Sequence, residues 1–166
     1  MQEMQSKDLE KIVVAVGVGK LRQNAQFENG ILPEIIKDLT AITGQKPQPR
    51  PAKQSIAGVK LREGSMVGLR VTLRDKRMRD FLGRMVNVAL PRVRDFRGIN
   101  PKQIDNAGNL TIGVREHTVF PEISPEDSKF DFGFQVTFVS GVRDKKQAKA
   151  VFEKLGIPFE KEEVKK

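Results

Sequence analysis

The apolar stripe running from Lys76 to Leu90 limits the possible folds more than any other feature of this chain. Met78, Phe81, Leu82, Met85, Val86 and Ala89 recur at helical spacing, so a helix here carries one apolar face that must lie on a partner surface. Asp75 is the expected N-cap and Pro91 the expected stop. Segments of a different period supply the partner surface. Lys11 to Gly19 (KIVVAVGVG) is a β-branched strand running into a glycine turn, and Val67 to Leu73 alternates as a strand should. Leu110 to Phe120 and Phe132 to Val142 read as two more strands.

Two further helices are expected. Ile31 to Thr43 places Ile31, Leu32, Ile35, Ile36, Leu39 and Ile42 on one face, with Gly44 at the C-terminal position glycine favours. Asp144 to Leu155 is amphipathic and closed by Gly156. The last two strands are joined by an acidic loop (Glu122, Glu126, Asp127) too short for a helical crossover, so they are expected to pair antiparallel. Between Gln45 and Gly64, Pro47, Pro49 and Pro51 argue against helix, and Lys46, Arg50, Lys53, Lys60 and Arg62 stud the segment. It reads as a long, basic, Pro-rich arm. The expected fold class is α+β: a two-layer, mostly antiparallel sheet with helices packed on one face. At 166 residues the length suits a single domain over 1–166, with residues 1–9 and the charged tail 160–166 as flexible ends.

Charge narrows the partners. The chain carries 30 Lys+Arg against 21 Asp+Glu, a net +9. Sixteen of the basic residues and only five of the acidic ones fall between Gln45 and Arg115, so the whole excess lies in one central stretch. Eleven of those sixteen are arginine, whose planar fork pairs with phosphate and stacks on bases. A merely solvated surface mixes the two signs along the chain. This distribution points to a polyanion, and Phe96, between Arg94 and Arg97, is the best-placed ring for base stacking.

Other chemistries fit poorly. There is no cysteine, so disulfides, thiolate metal sites and cysteine nucleophiles are excluded. His117 is the sole histidine and is expected to be an ordinary strand residue, so no metal site and no catalytic residue is assigned. Gly17-Val18-Gly19-Lys20 lacks the Gly at 14 and Ser/Thr at 21 of a Walker loop, and Arg22 stands where a dinucleotide fingerprint needs glycine. No cofactor is expected. A nucleotide-dependent enzyme built on the glycine turn stays open as a competing reading, as does an RNA chaperone. No apolar run approaches the ~20 residues of a membrane span, and Met1 to Leu9 has no apolar leader segment, so no membrane partner is expected.

GQKP (44–47), SIAGVKLREG (55–64), VTLRDKRM (71–78), ALPRVRDFRG (89–98), DNAGN (105–109) and FPEI (120–123) occur in this order. Together they resemble the bacterial form of the large-subunit ribosomal protein five family, over about Lys11 to Phe159. The resemblance implies a structural, cytoplasmic protein of the large ribosomal subunit that binds 5S rRNA beside 23S rRNA and acts in translation. By position it implies that Gly17, Gly19, Lys20, Gln45, Lys46, Arg50, Thr72 and Arg74 face 5S rRNA. It implies that Lys53, Ser55, Lys60 and Arg62, in the 53–64 arm, reach P-site tRNA. It further implies that Arg92, Arg94, Arg97, Glu122, Glu126 and Asp127 lie at an intersubunit bridge, against a basic small-subunit ribosomal protein. Two departures stand out: Ala15 replaces a usual asparagine, and Val59 a usual aromatic. The family's extra N-terminal helical segment is not expected here.

Overall fold

The computed structural model describes residues 8–59, 61–124, 126 and 128–160. Five strands form one sheet in the order β2-β3-β1-β5-β4. They are β1 (Leu9–Gly17), β2 (Gln48–Pro51), β3 (Met66–Leu73), β4 (Leu110–Val114) and β5 (Phe134–Ser140). Every pairing is antiparallel, including the expected β4–β5 pair. β1 is central because its β-branched run can be buried on one face while both its edges are paired.

Alternation sorts the faces. Ile12, Val14 and Val16 of β1, Leu69, Val71 and Leu73 of β3, and Phe134, Val136 and Phe138 of β5 are buried together. Onto this face pack α1 (Leu32–Thr43), α2 (Asp75–Arg84) and α3 (Lys145–Lys154). α1 contributes Ile35, Leu39 and Ile42, α2 contributes Met78, Phe81 and Leu82, and α3 contributes Ala148 and Phe152. Phe81 stacks on Phe120 with ring centroids 5.8 Å apart, and Phe138 meets Phe152 edge-on. Burying one such ring contributes about 2–3 kcal/mol.

Several local expectations hold, and several need correction. Gly44 ends α1 with φ +69, and Gly156 follows α3 with φ +85. Asp144 caps α3, its carboxylate accepting from the Gln147 N–H at 3.1 Å. Asp75, in contrast, is not a capping side chain. The N-cap is Arg74, and Asp75 has φ +49, making the tight turn from β3 directly into α2. Pro91 does not stop the helix at Leu90 either. A π turn (Met85–Ala89) follows α2 and a last turn (Leu90–Arg92) begins beyond it, where proline needs no intrahelical N–H bond. The extended Val93 ends the course.

The expected extended arm is replaced by a hairpin. β2 pairs with β3, the Ala52 N–H donates to Ser65 O and the Gly64 N–H to Ala52 O, and Ile56 and Leu61 exchange backbone bonds at 2.9 and 3.1 Å. Pro49 and Pro51 sit on β2, an edge strand, where a missing N–H is tolerated. The described ends are also held further than expected. Leu9 is buried in β1, and the Glu160 N–H donates to Ile99 O at 3.0 Å.

His117 departs most from its expected place. The strand ends at Val114, and His117 begins a 3-10 turn, fully buried and stacked on Phe132 at 4.1 Å. Its Nε2 lies 2.8 Å from Ser128 Oγ and 3.5 Å from Asp38 Oδ2. Burial pushes the imidazole below its usual value, against the opposing pull of Asp38 and Asp131. A depressed folded-state pKa means that neutral His117 stabilises the fold above the ordinary histidine pKa of about 6.5. That stabilisation is lost as pH falls below it.

Two outcomes are expected. The urea midpoint of the native protein drops between neutral pH and pH about 5, and His117→Gln flattens that drop. An imidazole resonance titrating at or above its ordinary value would contradict this. Gly108, with φ +80, leaves a Cβ only 2.1 Å from Val142 O. Gly108→Ala is therefore expected to destabilise by about 2–4 kcal/mol, measured by urea unfolding at neutral pH.

Candidate nucleic-acid interface

Among the described residues no helix covers the second face of the sheet. The register aligns Gln48, Arg70, Ala15, Gln135 and Gly113 in one row across all five strands. A neighbouring row runs Thr72, Val13, Thr137 and Thr111, with the two facing threonine hydroxyls 3.2 Å apart. On the other side of the first row lie Arg50, Gly68 and Gly17. Each of these residues is exposed or half-buried, and none is acidic. These three rows bear cations and hydroxyls but no carboxylate, which suits a phosphate backbone. Arg70 is half-buried at its centre, its Nε shielded from water and without a hydrogen-bond partner among the described residues.

One corner of this face is held by a chain of hydrogen bonds. Gly44 turns the chain out of α1, and the Thr43 hydroxyl donates to Leu39 O at 2.6 Å while accepting from the Gln45 N–H at 3.4 Å. The Gln45 side-chain amide then donates to Thr72 O at 3.4 Å and accepts from Arg77 Nη1 at 3.1 Å. Both ends of that amide are thereby held. Lys46 and Arg74 stand exposed beside it. Gln45, Lys46, Thr72 and Arg74 thus stand together at this corner. Sequence reasoning misses Arg77 and Arg70, although the alternation from Thr72 and the helical turn after Asp75 carry a signal for both.

Gly17, Gly19, Lys20 and Arg50 belong to the other end of the same face. Gly17 pairs with Gly68, four residues along β3 from Thr72 and so about 14 Å away. Arg50 faces Gly68 from the opposite side. A Cβ built on Gly17 or Gly19 would meet nothing within 4 Å, so protein packing does not demand glycine there. Bare backbone instead leaves room for a ligand to come close.

In the hairpin, Lys53, Ser55 and Arg62 are exposed, and the Ser55 hydroxyl accepts from the Glu63 N–H at 2.8 Å. Ile56 stands 53% exposed near the tip. Lys60 lies outside the described residues. Arg92, Arg94 and Arg97 are exposed at and beyond the end of the α2 course and have no ion pair among the described residues. Glu122 is paired with Arg84, Glu126 is exposed, and Asp127 lies outside the described residues.

Ser128, His117 and Asp38 superficially resemble a catalytic triad. Ser128 and Asp38 both approach the same nitrogen, Nε2, whereas a triad needs its acid on the opposite nitrogen from its nucleophile. The group ties α1 to the loop before β5. Among the described residues no cluster of His, Cys, Asp or Glu could hold a metal ion, and no helix is long and apolar enough to cross a membrane.

Comparison with known proteins agrees with this picture. Residues 2–62 match the family profile described as ribosomal protein L5, and residues 66–159 match the profile of the C-terminus of the same ribosomal family. The boundary falls inside the β2–β3 hairpin, and strands of both halves interleave in one sheet. The large ribosomal subunit protein uL5 of Dichelobacter nodosus is 46% identical over 94% of this chain and 85% of its own length. That of Nitratidesulfovibrio vulgaris is 46% identical over 95% and 86%, and that of Rubrobacter xylanophilus 47% over 94% and 84%. With both profiles matched in order along one sheet, and relatives of this similarity over most of their length, the chain belongs to the ribosomal protein L5 family, a structural constituent of the large ribosomal subunit.

Proposed function

We propose that the open face of the sheet grips 5S rRNA in the large ribosomal subunit, with 23S rRNA as a further partner. The carrying observation is three adjoining rows of the open face that bear Arg50 and Arg70 and no carboxylate, with Lys46 and Arg74 exposed beside a pinned Gln45 at one corner. Phosphate neutralisation supplies most of the affinity, and the fixed Gln45–Thr72–Arg77 corner supplies shape selectivity. Ala15 sits in the middle of the face and brings no polar group, so Arg70 and Gln135, its neighbours across the strands, carry that row. The chain acts as one RNA-binding unit, in the cytoplasm and on the ribosome.

The β2–β3 hairpin then serves as the contact to P-site tRNA, through Lys53, Ser55, Arg62 and the exposed Ile56. Glu126, with Asp127, faces a basic small-subunit protein across the subunit bridge. Glu122 is already neutralised by Arg84 and contributes by positioning the loop.

Replacing Lys46, Arg74 and Arg77 with alanine is expected to weaken 5S rRNA binding and to flatten the logarithmic salt slope by about 2 to 3, measured by filter binding across a salt series. An unchanged slope would remove this corner from the interface. Replacing residues 54–63 with Gly-Gly should leave 5S rRNA affinity within about twofold while lowering retention of P-site tRNA on reconstituted ribosomes. Loss of 5S binding in that variant would overturn the division of labour.

A further inference from the structure

Arg92, Arg94 and Arg97 have no place in the open face or in the acidic loop. All three are exposed, and none has an ion pair or hydrogen bond among the described residues. The last helical turn ends at Arg92, and the chain then turns through Asp95, which has φ +55. Residues 157–160 fix its return. The Ile99 N–H donates to Pro158 O at 2.8 Å, the Glu160 N–H donates to Ile99 O at 3.0 Å, and Ile99 itself is buried. Gly98, at φ +117, comes so close to this strap that a Cβ would stand 2.6 Å from Glu160 N. Between the two ties Phe96 packs against the core. The loop backbone is thus held at its start, middle and end, and the Cα atoms of its three arginines lie within at most about 18 Å of one another.

We propose that this loop is a second RNA-docking element, in which Arg92, Arg94 and Arg97 hold the phosphate backbone of an RNA other than 5S rRNA. The proposal rests on the reading of the chain as an RNA-binding unit. Position separates the loop from the open face. Arg94 and Phe96 line one cavity with Ile112 and Val114, which belong to the buried side of β4. The Gln45 corner adjoins Thr72 on β3, three strand spacings or about 14 Å from β4 and on the other face. Charge and chemistry select the partner. From Arg92 to Gly98 three arginines stand against the single carboxylate of Asp95, and Arg115 and Glu116 in the neighbouring cavity wall cancel. A basic protein would be repelled. An acidic protein would lack an anchor, because protein interfaces draw affinity from buried apolar and aromatic side chains, and here Phe96 is turned to the core and Val93 into the cavity. What the loop offers outward is guanidinium, whose planar fork matches phosphate. Complementing the helix dipole accounts for Arg92 at most, since Arg94 and Arg97 lie beyond the last turn.

The chain has no cysteine, so a single introduced one is unique. Pro91→Cys, beside the loop, and Ala41→Cys, four residues before Gln45, change exposed positions with no assigned contact. Each is loaded with iron–EDTA and built into isolated large subunits, where hydroxyl radicals cut nearby RNA. Position 91 is expected to cut an RNA other than 5S rRNA, and position 41 to cut 5S rRNA. In a second arm, the full chain carrying Arg92→Ala, Arg94→Ala and Arg97→Ala is assembled into large subunits across a salt series. Its affinity for free 5S rRNA should stay within about twofold, which also shows that the fold survives. Its incorporation should fall at least about tenfold, with the logarithmic salt slope flatter by about 2 to 3, while lysine at the same three positions keeps the slope. Unchanged incorporation, an equal loss of 5S rRNA affinity, or cutting from position 91 that is absent or confined to 5S rRNA would each overturn the proposal. Failure of position 41 alone to cut 5S rRNA would count against the open-face contact and not against this one.

Discussion

Everything in this molecule depends on burying one face of a five-stranded sheet and leaving the other bare. β1 is hydrogen-bonded on both edges, and its Ile12, Val14 and Val16 lie beneath the apolar side chains that three helices deliver. Strand alternation then forces Lys11, Val13, Ala15 and Gly17 to the opposite side, where no helix among the described residues covers them. The open face is therefore a by-product of the core. Any register slip by one residue would exchange core for interface and destroy both.

That separation also sorts the charges. Exposed ion pairs such as Lys149–Glu153, at 3.9 Å and one helical turn apart, add little to stability. Among the described residues, the arginines and lysines of the central stretch mostly lack carboxylate partners, which leaves them available to an outside anion. Arg84 is an exception, and its pairing with Glu122 anchors the start of the acidic loop. The far end of that loop is tied down by Ser128 on His117 and by Lys129 at 3.6 Å from Glu34 on α1.

Much of this is legible in the order of residues. The two periods of apolar residues define strands and helices, Gly44 and Gly156 mark helix ends, and the central excess of arginine points to a polyanion as partner. The motifs around Gln45, Thr72 and Arg74 contain residues that the fold brings to one corner of the open face. Boundaries and local partners are less accessible. Pro91 and Asp75 follow general preferences that a π turn and a tight strand-to-helix turn override. The prolines from 47 to 51 suggest an extended arm, because nothing local reveals that an edge strand pairs through Gln48–Pro51. His117 looks ordinary because its neighbours, Asp38 and Ser128, lie far away in sequence. What the sequence by itself determined is the periodicity of each segment and the sign of its charge, since both are properties of neighbouring residues. Only the tertiary structure decided which strand stands at the edge, which arginines face away from carboxylates and where a histidine is buried, because each depends on contacts between segments distant along the chain.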